Sequence, residues 1–296
     1  MLQYRLRNHP NISLPTGESH FIVPLYDNRE AYGDLSQPEN IRKVLQAMLD
    51  QSREFLETDL HGLKFDIDML VDELHAEGRH TLPAIISGIF EKNARGEGKA
   101  RWGDKTPYYV THLPKLLAWF PDAQIVHLIR DGRDVALSLF GRQHDFYVYN
   151  MYFAAEYWES YVEKGRTLGK QISSHQYMEL RYEDLLIHPQ DSMKRVCNFL
   201  GEVYTSDLFD VVSVEEPGKT PLVHEPLKAS NAGKWRSQMS PFQIQAFESV
   251  AGSTLRQSGF EVITPAKPPS LVVKAAYRLH NMLLTAFWKR ARSRSK

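Results

Sequence analysis

Arg130 and Ser138, eight residues apart, are the side chains whose chemistry the local sequence defines best. They stand in AQIVHLIRDGRDVALS (residues 123–138), where Ile125, Val126, Leu128 and Ile129 make the short apolar, β-branched run of a buried parallel strand. The chain then turns through Asp131 and Gly132 into a helical pattern. That order puts Arg130 at the carboxyl end of a strand, where open α/β sheets bind ligands, and Ser138 two turns along the helix that follows. A guanidinium fork matches phosphate oxygens and a hydroxyl adds one more donor, so the chemistry is anion binding. Arg130 in a structural salt bridge is the competing reading.

Four further segments occur in a fixed order around this one: PTGESHF (15–21), WGDKTP (102–107), LRYEDLL (180–186) and GKWR (233–236). With the strand, Arg130 and Ser138, they resemble the sulfotransferases that use 3′-phosphoadenosine-5′-phosphosulfate (PAPS), in particular a bacterial branch similar to the tyrosylprotein and heparan-type enzymes. The resemblance covers residues 1–263, and ordered motifs are more specific than any one alone.

The resemblance implies an α/β, three-layer, P-loop NTPase-like fold with a central parallel sheet, and an enzyme that moves a sulfuryl group from PAPS to a hydroxyl or amine. In that family Arg130 and Ser138 would hold the donor's 3′-phosphate and Tyr182 would lie beside it, with a buried core tyrosine as the alternative. Lys105 takes the place of the family lysine near the bridging oxygen. Pro107 stands where the cytosolic steroid and phenol enzymes have a catalytic histidine, which directs attention to Glu18 as the base; a helix cap or an arginine partner is its plainer role. Lys228 falls where cytosolic members place a phosphate-binding arginine. Gly233 falls where the tyrosylprotein branch has a catalytic serine, a role Ser230 could supply. Trp102 and Asp104 read as packing and hydrogen-bonding supports. Two rival functions remain: a nucleoside or nucleotide kinase-like enzyme of the same fold, and a non-catalytic remnant that binds adenosine 3′,5′-bisphosphate (PAP) or a partner.

One family feature is absent. The first strand and the glycine-containing loop that cradles the 5′-phosphosulfate have no counterpart, because LQYRLRNHP already resembles the helix that follows the loop. RGEGKARWG lacks the Gly-x4-Gly-Lys-Ser/Thr spacing of a substitute. Either the true start lies upstream of Met1, the preferred expectation, or half of the donor site is lost.

The elements that must position these groups follow from periodicity. Helices are expected over 66–77, 81–95, 152–170 and 189–200, and another after a Ser36/Glu39 capping box; strands over 124–129, 177–181 and 260–263. Alternating strands and helices imply a parallel sheet. Residues 1–266 read as one α/β domain and 267–296 as a basic amphipathic segment. That segment is read as a solvated helix packed on the domain, with a peripheral contact on a membrane surface as the alternative. With 36 basic and 36 acidic residues, no overall field recruits nucleic acid. The single cysteine, Cys197, forms no disulfide within the chain and suits a reducing, cytoplasmic compartment. No histidines show a metal-binding spacing. The acceptor, whether carbohydrate, lipid, peptide or small metabolite, is left open.

Overall fold

The computed structural model describes residues 1–210, 228–265 and 268–294. The chain divides into two compact units, one of residues 1–124 and 193–226, the other of residues 125–192 and 227–296. The segment boundary expected at 266/267 lies outside the described residues.

The first unit is mostly helical. Its elements are α1 (Leu2–Arg7), β1 (Ile12–Ser13), α2 (Ile22–Asp27), α3 (Pro38–Glu54), α4 (Ile67–Ala76), α5 (Leu82–Gly96), β2 (Arg101–Trp102) and α6 (Leu113–Trp119). β1 and β2 pair in parallel, Ile12 opposite Arg101 and Ser13 opposite Trp102. Strands of two residues carry no alternation, so nothing in the sequence signalled them. Ile41, Val44, Leu45 and Met48 of α3 pack with Leu70 and Leu74 of α4 and Ile85, Ile89 and Phe90 of α5 in one apolar core. The Ser36/Glu39 capping box does not form. Gln37 is the N-cap and Pro38 takes the first turn, where its missing N–H costs nothing. Near its end α3 kinks at Ser52 (φ −148°, ψ 52°) and runs into a π-helical turn, Phe55–Asp59.

The second unit carries β3 (Ile125–Ile129), α7 (Gly132–Gly141), α8 (Gln143–Phe146), α9 (Met151–Gly169), β4 (Tyr177–Arg181), α10 (Tyr182–Ile187), the start of α11 (Pro189–Leu200), α12 (Trp235–Gln238), α13 (Pro241–Gln257) and α14 (Leu271–Arg294). β3 and β4 are parallel and in register from Ile125 opposite Tyr177 to Ile129 opposite Arg181. Asp131 caps α7 by accepting from the Arg133 N–H at 2.9 Å. Gly132 is required by close approach: a Cβ there would lie 2.5 Å from the Trp158 ring and 2.6 Å from Phe247. The strand expected over 260–263 does not form. The N–H groups of Ile263 and Thr264 donate instead to the Glu248 carboxylate, at 3.3 and 2.8 Å, so that side chain takes bonds a neighbouring strand would need.

Candidate active site

In the first unit the candidate groups sit on the loop from Pro15 to His20, which is held from several sides. The Gln3 amide of α1 donates to the carbonyls of Pro15 and Thr16. Thr16 Oγ1 donates to Asp59 Oδ1 of the π-helical turn at 2.8 Å, and Gly17 packs so close that a Cβ would lie 1.9 Å from Asp59 Oδ2. Ser52, at the kink of α3, donates through its hydroxyl to the Ser19 carbonyl. A fully satisfied polar network then locks Ser19. Its N–H donates to Thr106 Oγ1 (3.0 Å) and its hydroxyl to Asp104 Oδ2 (2.7 Å). The Tyr109 hydroxyl lies 2.8 Å from Ser19 Oγ and accepts from the Ile22 N–H at 3.1 Å. Burial pushes the Asp104 carboxyl up to about 6, against the opposing pull of these hydrogen bonds and of Lys105, and raises the Tyr109 phenol.

That frame presents Glu18 to Lys105 and His20. Lys105 Nζ donates to Glu18 Oε1 at 2.6 Å, and His20 Nε2 lies 3.1 Å from Oε2. Lys105 and Glu18 are 37% and 35% exposed. His20 has φ +53°, a left-handed backbone that a non-glycine residue adopts at a cost, and it is the residue at this loop that sequence reasoning passed over. Its only signal was its place two residues after Glu18. Trp102 stacks on Phe90, ring centroids 4.7 Å apart, and anchors the strand that leads to Lys105.

In the second unit Arg130 follows the last residue of β3. Its guanidinium lies over the Tyr182 ring, 4.9 Å from the centroid, and Nη2 donates to the Asn231 carbonyl at 3.1 Å. Asp134 Oδ2 is 3.8 Å from Nη2. Nε is enclosed and has no hydrogen-bond partner among the described residues. The Trp158 indole donates to the Arg130 carbonyl at 3.0 Å, which fixes the backbone from which the guanidinium projects. Tyr182 opens α10, and burial raises its phenol. Ser138 lies on the exposed side of α7. Lys228 is exposed and precedes the short 3-10 turn Ala229–Asn231, whose last carbonyl Arg130 grips; Ser230 is exposed on the same turn. The structure thus pairs Glu18 with Lys105 and Arg130 with Tyr182, while Ser138 and Lys228 stand at the surface of the second unit.

Two carboxylates here were not singled out from sequence. Asp134, fully buried, accepts from the N–H groups of Gly233 (2.7 Å) and Trp235 (2.8 Å) and so ties GKWR to α7, one turn from Arg130. Glu183 accepts from the Asp131 N–H at 3.0 Å, has no hydrogen-bond partner at Oε2 among the described residues, and is pushed up by burial. Gly233 has φ +71°, the left-handed region that its missing Cβ permits.

Solved structures share this architecture. A sulfotransferase domain from the Synechococcus PCC 7002 olefin synthase aligns at a TM-score of 0.57 with 22% identity over 84% of this chain and 89% of that one. One from the curacin biosynthetic pathway aligns at 0.61 with 17% identity over 88% and 93%. The α/β fold is that of sulfotransferase domains. Among curated proteins, a putative protein-tyrosine sulfotransferase of Caenorhabditis briggsae is 27% identical over 42% of this chain and 45% of its own length. Protein-tyrosine sulfotransferases of Drosophila melanogaster and Caenorhabditis elegans are each 23% identical, over 53% and 67% of this chain and 34% and 56% of their own lengths. The chain therefore spans between about a third and just over half of these relatives. The family model described as "Sulfotransferase family" matches residues 1–206, and the chain belongs to that family.

Proposed function

We propose that this protein transfers a sulfuryl group from PAPS to a hydroxyl or amine acceptor. The observation that carries the reading is Arg130: a guanidinium at a strand end, one face on Tyr182, with an enclosed Nε that no described group satisfies. The side chain as a whole is 28% exposed, and its fork makes one carbonyl bond and keeps Asp134 at 3.8 Å, so it has donors left for an anion's oxygens. The residues present fit the donor's nucleotide end. Arg130 and Ser138 grip the 3′-phosphate, Tyr182 borders it, and Lys228 adds a cation. The kinase-like alternative and the non-catalytic remnant are not favoured, since the family model and the relatives all point to sulfotransferases.

Sulfuryl transfer is mainly positioning and charge stabilisation. The bond from sulfur to the acceptor oxygen or nitrogen forms as the bond from sulfur to the phosphate oxygen breaks, and PAP leaves. Lys105 donates to that departing oxygen. Glu18 takes the acceptor's proton, and His20 and Lys105 hold its carboxylate in place. Ion pairs as exposed as Glu18 and Lys105 are worth about 0–1 kcal/mol, so substrates can part the two groups at little cost. The protein-tyrosine sulfotransferases among the relatives make peptide tyrosine the first acceptor to try, with carbohydrate, lipid and small-metabolite hydroxyls after it. The lone buried thiol of Cys197, raised by burial, suits a cytoplasmic setting.

Calorimetry with PAP tests the donor site: Arg130→Ala should weaken binding about 10- to 100-fold, the worth of a charge-assisted contact. Glu18→Gln should cut turnover of labelled PAPS by about 10² to 10⁴ and leave PAP affinity nearly intact. Unchanged PAP affinity in Arg130→Ala removes Arg130 from the site.

A further inference from the structure

The last helix, α14, is docked by one side only. The buried Asn281 amide accepts from the Tyr149 N–H at 2.8 Å and donates to the Tyr147 carbonyl at 2.9 Å. Tyr277 stacks on Tyr152 with centroids 5.3 Å apart, and Trp288 packs on His144 at 4.0 Å. Arg278 pairs with Glu156 of α9. These contacts fix the rotation of α14 on the second unit. At about 100° per residue, the side opposite Asn281 carries Val272, Leu279, Leu283 and Phe287, and Leu271 and Met282 flank it about a quarter turn from Asn281, with alanines between them. All six are exposed, Leu271 by 82% and Phe287 by 62%. No charged residue interrupts this side from Leu271 to Phe287. Isolated exposed leucines are ordinary; a continuous stripe over more than four turns of one helix is not.

The charge of the same segment says what covers the stripe. Residues 271–296 hold Lys274, Arg278, Lys289, Arg290, Arg292, Arg294 and Lys296 and no Asp or Glu, a formal charge of +7. The whole chain is neutral, so residues 1–270 carry 0 − 7 = −7. Two copies joined through this stripe would bring two such basic segments together, and an anionic surface would attract each. No helix among the described residues is long and apolar enough to cross a membrane. We propose that α14 lies in the plane of an anionic lipid surface, its Leu271–Phe287 stripe at the acyl boundary and its basic residues among the headgroups, holding the second unit against the membrane.

Flotation of the full chain with vesicles tests this. Vesicles of about 30 mol% phosphatidylserine in phosphatidylcholine should bind it at least ~10-fold more than phosphatidylcholine alone, and about 0.5 M salt should abolish the difference. Leu279→Glu with Leu283→Glu, both at exposed positions, should lose binding by ~10-fold or more while circular dichroism and PAP affinity stay as in the parent. Equal binding to both vesicle types, or undiminished binding of the double variant, overturns the proposal. So does a parent dimer that ignores vesicles and becomes a monomer in the double variant, since a second copy then covers the stripe. An acidic protein partner is the occupant instead if vesicles fail and an added polyglutamate peptide binds the parent but not the double variant.

Discussion

Replacing Asp134 by Asn should open the GKWR segment without disturbing the strand that carries Arg130. The Asp134 carboxylate is fully buried and accepts two backbone N–H bonds, from Gly233 at 2.7 Å and Trp235 at 2.8 Å. Hydrogen bonds to a charged group are worth about 1.5–3 kcal/mol each. In Asp134→Asn the remaining carbonyl keeps one bond in a weaker, neutral form, and the new NH2 confronts the other N–H. Loss of one bond and weakening of the other sum to about 2–4 kcal/mol. Because Trp235 is buried and Gly233 is held at φ +71°, the segment opens as one piece. Hydrogen exchange at the Gly233 and Trp235 amides should therefore speed up by about 30- to 1,000-fold, while the β3 amides exchange as before. Unchanged protection at those two amides, or a loss spread evenly over β3 and β4, would falsify the assignment of Asp134 as the clamp.

Two further expectations concern the first unit. Asp104, raised by burial to about 6, binds protons in the folded chain that the unfolded chain has released above its ordinary 3.8, so it makes stability fall as pH rises through about 4 to 6, by about 3 kcal/mol in all. His127, lowered by burial to about 4 from 6.5, acts in the opposite sense over much the same window, since there the unfolded chain binds the extra proton. In urea melts between those pH values Asp104→Asn should therefore gain stability relative to the parent as pH rises, by about 3 kcal/mol; parallel parent and variant profiles would refute the burial argument. Gly17→Ala forces a Cβ to within 1.9 Å of the Asp59 carboxylate that holds Thr16, so it should cost about 1–3 kcal/mol and lower turnover beyond that loss by shifting Glu18, whereas wild-type kinetics in a folded variant would show that the Glu18 loop tolerates movement.

The parts of this molecule that repeat locally were open to reading from the chain alone. A run of Ile125, Val126, Leu128 and Ile129 followed by Asp131 and Gly132 specifies a strand, a turn and a helix within a dozen residues, and all three are present; that Asp131 caps the helix was not read from it. Helix α11 begins and ends at the residues its periodicity indicated, Pro189 and Leu200. What local pattern does not encode is where a polar side chain finds its partner. Asp134 meets the Gly233 and Trp235 amides about a hundred residues on, and Ser19 meets Asp104, Thr106 and Tyr109 more than eighty residues on. Glu248 removed the strand expected over 260–263 by the same means, through two backbone bonds that periodicity takes no account of. The π-helical turn after α3 escaped notice because FLETD differs from ordinary helix in hydrogen-bond register, not in composition.

The two arginines of RDGRD show how such partners divide residues that look equivalent. Arg133 is 1% exposed, donates through Nε and Nη2 to Asp131 at 3.0 and 2.7 Å and through Nη1 to Glu248 at 2.5 Å, and lies 3.5 Å above the Trp235 ring. Two carboxylates and an aromatic face satisfy it, and breaking such a buried set typically costs about 3–5 kcal/mol, so its role is to hold α7, α13 and Trp235 together. Arg130, three residues earlier, also lies on an aromatic face, that of Tyr182, but has one carbonyl, one carboxylate at 3.8 Å and an Nε with no partner among the described residues. It has donors to spare, and it stands at the strand end. The Asp134 carboxylate helps set this division: committed to two backbone amides, it stays beyond hydrogen-bond distance of Arg130 and leaves the guanidinium fork only partly neutralised. The anion-binding role proposed for Arg130 thus rests on where the nearby carboxylates are spent, and the loop that consumes Asp134 is the GKWR segment itself.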